Sequence, residues 1–203
     1  MNDSVKKHPL SLYRHCPVCG SEAFDVSSFK SKRCRDCGFE QFINPSAAVV
    51  AFIHNGKGDL LVAVRDRDPA KGTLDLPGGF ADMDETIEQS LRREVREETG
   101  LVVTRATYLF SLPNHYLYGG MDIPTLDFFF ECEVEDTTVL QAADDVAECR
   151  WVPICHIHPD EFGLNSIRKG VETYLKRAQI FNNRDSVSMK DASPADRQGW
   201  GRR

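Results

Sequence analysis

Residues 47–53 (AAVVAFI) form a continuous apolar run, the pattern of a strand buried on both faces. Asn55-Gly56-Lys57-Gly58-Asp59 reads as a turn. Residues 60–64 (LLVAV) repeat the apolar run, so the pair is expected to form a hairpin. Residues 102–112 predict another strand, blurred by Arg105 and Thr107. Residues 125–134 (TLDFFFECEV) predict a strongly apolar strand ending in polar alternation, and residues 146–153 a last one. Residues 111–120 between them read as a loop. The period becomes helical over residues 85–99, where Ile87, Leu91 and Val95 recur every four residues and Gly100 ends the pattern. A second helix is expected over residues 165–181, with Ile167, Val171, Tyr174, Leu175 and Ala178 on one face and Gly170 as a weak point inside it. From Asn182 the apolar pattern stops, and residues 183–203 read as a disordered tail.

The polar side of the first helix changes the picture. Glu94, Glu97 and Glu98 bring three carboxylates to one edge, a repulsive arrangement unless a cation sits between them. A hard divalent ion with oxygen ligands, Mg²⁺ or Mn²⁺, fits that demand. Leu76-Pro77-Gly78-Gly79 leads into the helix, with Phe80 expected to pack beneath it. Glu88 and Arg92, four apart, read as a surface pair. Arg65 and Arg67 end the second strand, and Arg65 is a candidate for a substrate phosphate.

The N-terminal stretch carries a different chemistry. Cys16-Pro-Val-Cys19-Gly and Cys34-Arg-Asp-Cys37-Gly are separated by fourteen residues, the spacing of two knuckles around one tetrahedral Zn²⁺. Four thiolates leave no open coordination position, so this metal is structural. Phe24, Val26, Phe29, Phe39 and Phe42 supply a thin apolar layer beside it, too small to fold without the ion. His8 and His15 lie near but are not needed as ligands. Cys132, Cys149 and Cys155 have no recognisable spacing and read as core filling.

At 203 residues the chain can bury one good core with a small module beside it. A net charge of -6 argues against a dedicated nucleic-acid binder, although residues 1–45 carry seven basic against five acidic groups. The first fifteen residues have no hydrophobic run, and no apolar stretch reaches 18 residues, so neither a signal peptide nor a membrane span is expected. Cysteines in metal-ligand spacing fit a cytoplasmic protein.

Gly79, Glu85, Arg93, Glu94, Val95, Glu97, Glu98, Gly100 and Leu101 fill every constrained position of Gly-x5-Glu-x7-Arg-Glu-U-x-Glu-Glu-x-Gly-U, where U is a bulky aliphatic residue. The stretch therefore resembles the box of the Nudix hydrolase superfamily. That resemblance implies an α/β fold, a Nudix α/β/α sandwich with a mixed sheet, over residues 44–182, preceded by a zinc ribbon over residues 13–43 and a lead-in over residues 1–12. It implies metal ligation by the Gly79 carbonyl, Glu94, Glu97 and Glu98, with Glu85 and Arg93 as supports. Glu98 or Glu97 is the candidate general base, and Glu148 the candidate from outside the box. Asp144 and Asp145 are weaker candidates.

A ribbon ahead of such a domain also resembles the NADH pyrophosphatase branch. That branch carries Ser-Gln-Pro-Trp-Pro-Phe-Pro-x-Ser after the box, whereas this chain has Ser111-Leu112-Pro113-Asn114-His115-Tyr116. Ser111, His115, Tyr116 and Tyr118 are the candidate substrate contacts. The expected activity is hydrolysis of a nucleoside diphosphate joined to a second group, with ADP-ribose or an ADP-sugar first. NADH or NAD, including NAD-capped RNA, comes next, and nucleoside triphosphates follow. A non-catalytic nucleic-acid or protein-binding module stands as the alternative, with Lys30, Lys32, Arg33 and Arg35 as its only basic cluster. Exposed aromatic residues permit a homodimer.

Overall fold

The structure is a computed structural model that describes residues 8–142 and 146–188. Strands β1 (Phe24–Ser28), β2 (Ser31–Cys34) and β3 (Glu40–Phe42) form an antiparallel sheet in that order. Its core is Cys16, Phe24 and Cys34, with Phe39 packed alongside. The Lys32 ammonium lies over the Phe24 ring and donates to the Tyr13 carbonyl. Val26, Phe29 and Phe42, expected in this layer, are exposed instead, Phe29 by 83%. Three short strands cover only one face, and the turn between β1 and β2 projects Phe29 outward. His8 is fixed by a 2.9 Å bond to the Ser28 carbonyl, so part of the expected lead-in packs on this module.

The larger body is β4 (Ser46–Ile53), β5 (Asp59–Arg65), β6 (Leu74–Asp75), β7 (Gly78–Phe80), α1 (Ile87–Thr99), β8 (Val103–Tyr118), β9 (Met121–Val134), β10 (Val146–Pro153) and α2 (Asn165–Ser188). Its strands form two sheets, ordered β7-β4-β9-β8 and β10-β5-β6. The β4–β9 pairing is parallel and the others are antiparallel, so the fold is a mixed α/β one. Strands β4 and β5 do not make the expected hairpin. They lie in different sheets, and among the described residues their backbones pair only at the His54–Leu60 bridge. Each is central in its own sheet, which is why both read as unbroken apolar runs.

Alternate residues of β4 feed two cores. Val50 and Phe52 join Leu60, Val62, Phe129, Phe162, Ile167 and Val171 on the α2 side. Val49, Ala51 and Ile53 join Leu91, Val95, Leu101 and Phe130 on the α1 side. Thr86 caps α1, and its exchange of hydrogen bonds with Gln89 places the helix start two residues later than the sequence pattern suggests. Gly100, at φ 71°, closes the other end. Gly170 lies inside α2 because the helix backbone presses on Phe129, whose ring would be 2.3 Å from an added Cβ. The helix runs on to Ser188, into the stretch expected to be a tail.

Residues 111–120 are not a loop. They are the end of β8 and the Gly119-Gly120 turn, at φ 57° and 78°, that leads into β9. Both positive angles suit a two-residue hairpin turn that glycine adopts without strain. Among the described residues no helix is long and apolar enough to cross a membrane. Trp200, Asp144 and Asp145 lie outside the described residues.

Candidate active site and four-cysteine cluster

The site forms where the glycine turn meets α1. Gly78 cannot carry a side chain, because an added Cβ would lie 2.0 Å from the Val49 carbonyl oxygen. Its amide donates to Glu98 Oε2 at 2.9 Å, tying the last carboxylate of the helix to the turn. Gly79 comes equally close to Glu94, with an added Cβ 2.6 Å from the carboxyl atoms. Glu98 is 9% exposed, and with Glu94 it lines a cavity of about 310 Å³.

Arg93 organises the polar edge. Its guanidinium donates to both Glu85 oxygens at 2.8 and 3.0 Å, to Glu94 at 2.8 Å and to Glu97 at 3.0 Å. It also donates to the Phe80 carbonyl at 3.0 Å, so strand, loop and helix are joined through one side chain. The Arg93 bonds hold the Glu85 carboxyl below its ordinary range. Glu97 is turned outward to Arg93, on the helix edge away from the cavity. Arg92 donates to the carbonyls of Val103 and Thr104 rather than pairing with Glu88. Phe80 is half-exposed and meets the Tyr116 ring edge-on, not the underside of the helix.

The remaining candidates divide between the two faces of the hairpin. Tyr116 lines the cavity, and Asn114 joins it from the same side of β8. His115 points the other way and bonds Asp122 at 3.0 Å across the hairpin. Ser111 and Tyr118 do not line the cavity, and Tyr118 is exposed. Arg65 lines it, but its nitrogens go to Asp75, to the Pro69 carbonyl at 2.9 Å and to the Tyr116 hydroxyl at 3.4 Å. These bonds fix its guanidinium at the cavity wall. Glu148 lies on β10, half-exposed, 3.8 Å from Arg150 and away from the cavity lining.

Sequence reasoning missed Asp75, Asn114, Thr125 and Asp127, which also line the cavity. Burial pushes the Asp75 carboxyl up, and the neighbouring Arg65 pulls it back. The signal for Asp127 was available: it is the one charged residue within the TLDFFF run.

In the N-terminal module the four thiols of Cys16, Cys19, Cys34 and Cys37 lie within 4.8 Å of one another. The Cys16–Cys37 and Cys19–Cys34 separations are both 3.6 Å. A zinc tetrahedron with Zn–S of about 2.3 Å has sulfur edges of about 3.8 Å, so the donor set fits that ion. The Cys37 and Asp36 amides point at the Cys34 sulfur and lower its pKa to about 7, favouring the thiolate a metal needs. Of the other cysteines, Cys132 is buried, Cys149 half-buried and Cys155 exposed.

The NUDIX domain model matches residues 44–171. The chain belongs to the Nudix family. Among curated proteins it is 25% identical over 169 residues to the NAD-capped RNA hydrolase NudC of Stutzerimonas stutzeri, covering 83% of this chain and 58% of that one. It is 28% identical over 108 residues to the NudC of Haemophilus influenzae, covering 52% of this chain and 40% of that one. The match thus spans between 40% and 58% of the length of these curated relatives. Among solved structures, a NUDIX hydrolase from Nitrosomonas europaea superposes with a TM-score of 0.60 at 20% identity, covering 80% of this chain and 90% of that one. The NUDIX domain of Shewanella oneidensis NrtR, crystallised with ADP ribose, superposes with a TM-score of 0.54 at 22% identity, covering 68% and 90%. These structures establish the shared fold.

Proposed function

We propose that this protein hydrolyses the phosphoanhydride of a nucleoside diphosphate joined to a second group, releasing a nucleoside monophosphate. The observation that carries the reading is Glu94 and Glu98 lining the cavity together with the Gly78-Gly79 backbone. A cavity of about 310 Å³ is at the low end of ligand sites and suits one nucleoside half. The diphosphate then falls at the carboxylates, and the second group lies outside, where few contacts restrict it.

Glu94, Glu98 and the Gly79 carbonyl are the groups that would hold Mg²⁺ or Mn²⁺, and Glu97 would join them only by leaving Arg93. The close approach of Gly79 to Glu94 leaves no room for a side chain there, in keeping with that use. Such an ion would screen the diphosphate charge and make a water acidic enough to attack. The rest is done by the chain. Arg93 holds Glu94 and Glu97 in orientation, and Glu85 holds Arg93. Glu98 is our choice for the group that takes a proton from an attacking water, and its near-burial and its bond to the Gly78 amide support that choice. Zinc in the four-cysteine cluster would do no chemistry and would stabilise the module.

ADP-ribose or an ADP-sugar is the first substrate class. NAD or NADH, free or as the cap of an RNA, is the second reading, favoured by the name that the curated relatives carry. Product analysis with Mg²⁺ and Mn²⁺ across ADP-ribose, ADP-glucose, NADH, NAD⁺ and nucleoside triphosphates separates them, with Glu98→Gln in parallel. AMP and ribose 5-phosphate from ADP-ribose, reduced by about 10²–10⁴ in the variant, is the expected result. A clear preference for NADH or NAD⁺ moves the protein to the second reading. Folded, zinc-loaded protein that turns over none of them defeats the proposal.

A further inference from the structure

The cavity lining holds an acceptor that the hydrolytic groups do not use. On β9, Thr125, Asp127 and Phe129 alternate onto one face. Phe129 is fully buried in the α2-side core, and Asp127, one step outward, is 4% exposed and lines the cavity. The Thr125 hydroxyl donates to Asp127 Oδ1 at 2.6 Å. Among the described residues no donor reaches Oδ2. Asp75, which also lines the cavity, is in a different position. One of its oxygens is paired with Arg65, and the other accepts the Leu76 amide at 2.8 Å.

Asp127 Oδ2 opens onto the cavity rather than being sealed inside the protein, and a ligand N–H there would take the place of solvent. The surroundings indicate which kind. Ala48, Val50, Leu164 and Ile167 present apolar surface to the same cavity, and Asn114 supplies one amide. Arg65, Arg67, Asp75 and Tyr116 add polar groups, so the lining mixes apolar walls with polar edges. A flat nucleobase buries its faces against such walls and needs polar partners only along its edge.

We propose that Asp127 is a specificity-determining residue that accepts an N–H from the exocyclic amino group of the substrate's nucleobase, adenine in the ADP-linked class. The inference rests on the nucleoside-diphosphate reading above and deepens it. Adenine offers a donor at its 6-position, where hypoxanthine offers an acceptor oxygen. A site built around an acceptor rejects the second base, because two acceptors are then forced together.

The test compares ADP-ribose with its inosine counterpart, IDP-ribose, in wild type and in Asp127→Asn. Wild type is expected to favour the adenine compound in kcat/KM by about tenfold or more. In the variant the Thr125 hydroxyl holds the amide oxygen and the amide NH₂ faces the base, so the preference should reverse. AMP and IMP binding to both proteins by calorimetry gives a readout independent of turnover, with AMP tighter on wild type. Thr125→Val, which keeps the carboxylate but removes its anchor, should narrow the preference without reversing it, and stands in if Asp127→Asn does not fold. Equal losses for both bases in Asp127→Asn overturn the inference, as does equal binding of AMP and IMP by wild type. If wild type cleaves ADP-linked compounds without discriminating, only the inference fails. If it cleaves no nucleoside diphosphate compound, the functional reading fails with it.

Discussion

Gly78 and Gly79 are neighbours with different duties. Gly78, at φ 151°, abuts backbone, and an added Cβ would meet the Val49 carbonyl oxygen at 2.0 Å. Neither atom can swing aside, so Gly78→Ala should destabilise the fold by on the order of 2–4 kcal/mol, measurable by urea unfolding. Gly79 abuts the end of the flexible Glu94 side chain. Gly79→Ala should cost stability only about 1 kcal/mol or less while lowering kcat by about 10²-fold, because the carboxylate must move. A Gly79→Ala protein with full activity would show that the close approach to Glu94 does not matter for hydrolysis. These duties were only half legible. The box motif marked Gly79, but it assigns Gly78 no role, because the contact of Gly78 is with β4, almost thirty residues earlier in the chain.

The lock between the β7–α1 loop and the helix was implied by the resemblance of this stretch to the Nudix box, and the structure joins Glu85 and Arg93 by two hydrogen bonds. Its pH dependence follows from direction alone. Arg93 holds Glu85 below its ordinary value of 4.5, so the native state favours the ionised form more than the unfolded chain does. That stabilisation is fully present above 4.5 and is lost as pH falls through the lower, native value. Glu85→Gln should therefore melt below wild type at pH 7, with the gap closing progressively under acid conditions. A gap that stays constant down to pH 2 would assign the loss to packing instead. Other features of these elements were not readable. Gly170 looked like a flaw in α2, yet it is the point where Phe129 contacts the helix backbone. Residues 111–120 looked like a loop because Pro113, Asn114 and two glycines are turn formers in isolation. Pairing along the whole length of β9 overrides them.

The molecule combines a body with two apolar cores and a module whose core is three buried side chains. So small a core cannot hold the module together, and four thiols within 4.8 Å indicate what does. Removing zinc with a strong chelator should release one ion per chain. It should also abolish hydrogen-exchange protection in β1, β2 and β3 while β4, β5 and β9 keep theirs. Protection that persists in the module after complete removal would mean that packing alone suffices. Cys34→Ser should reproduce the chelated state.

The cysteine spacing, the box and the strand and helix periods could be read directly, because each depends on residues close in sequence or on a repeat that burial imposes. The assignment of β4 and β5 to separate sheets could not, since an apolar run records that a strand is covered on both faces but not which strands flank it. The same limit applies to the cavity. Asp75 and Asp127 come from different sheets more than fifty residues apart, and packing of the two layers brings both to one cleft. Arg65 shows the converse. Its charge was legible in the sequence, but its pairing with Asp75 at the cavity wall came only from the fold, which sets that carboxylate against it and offsets its desolvation.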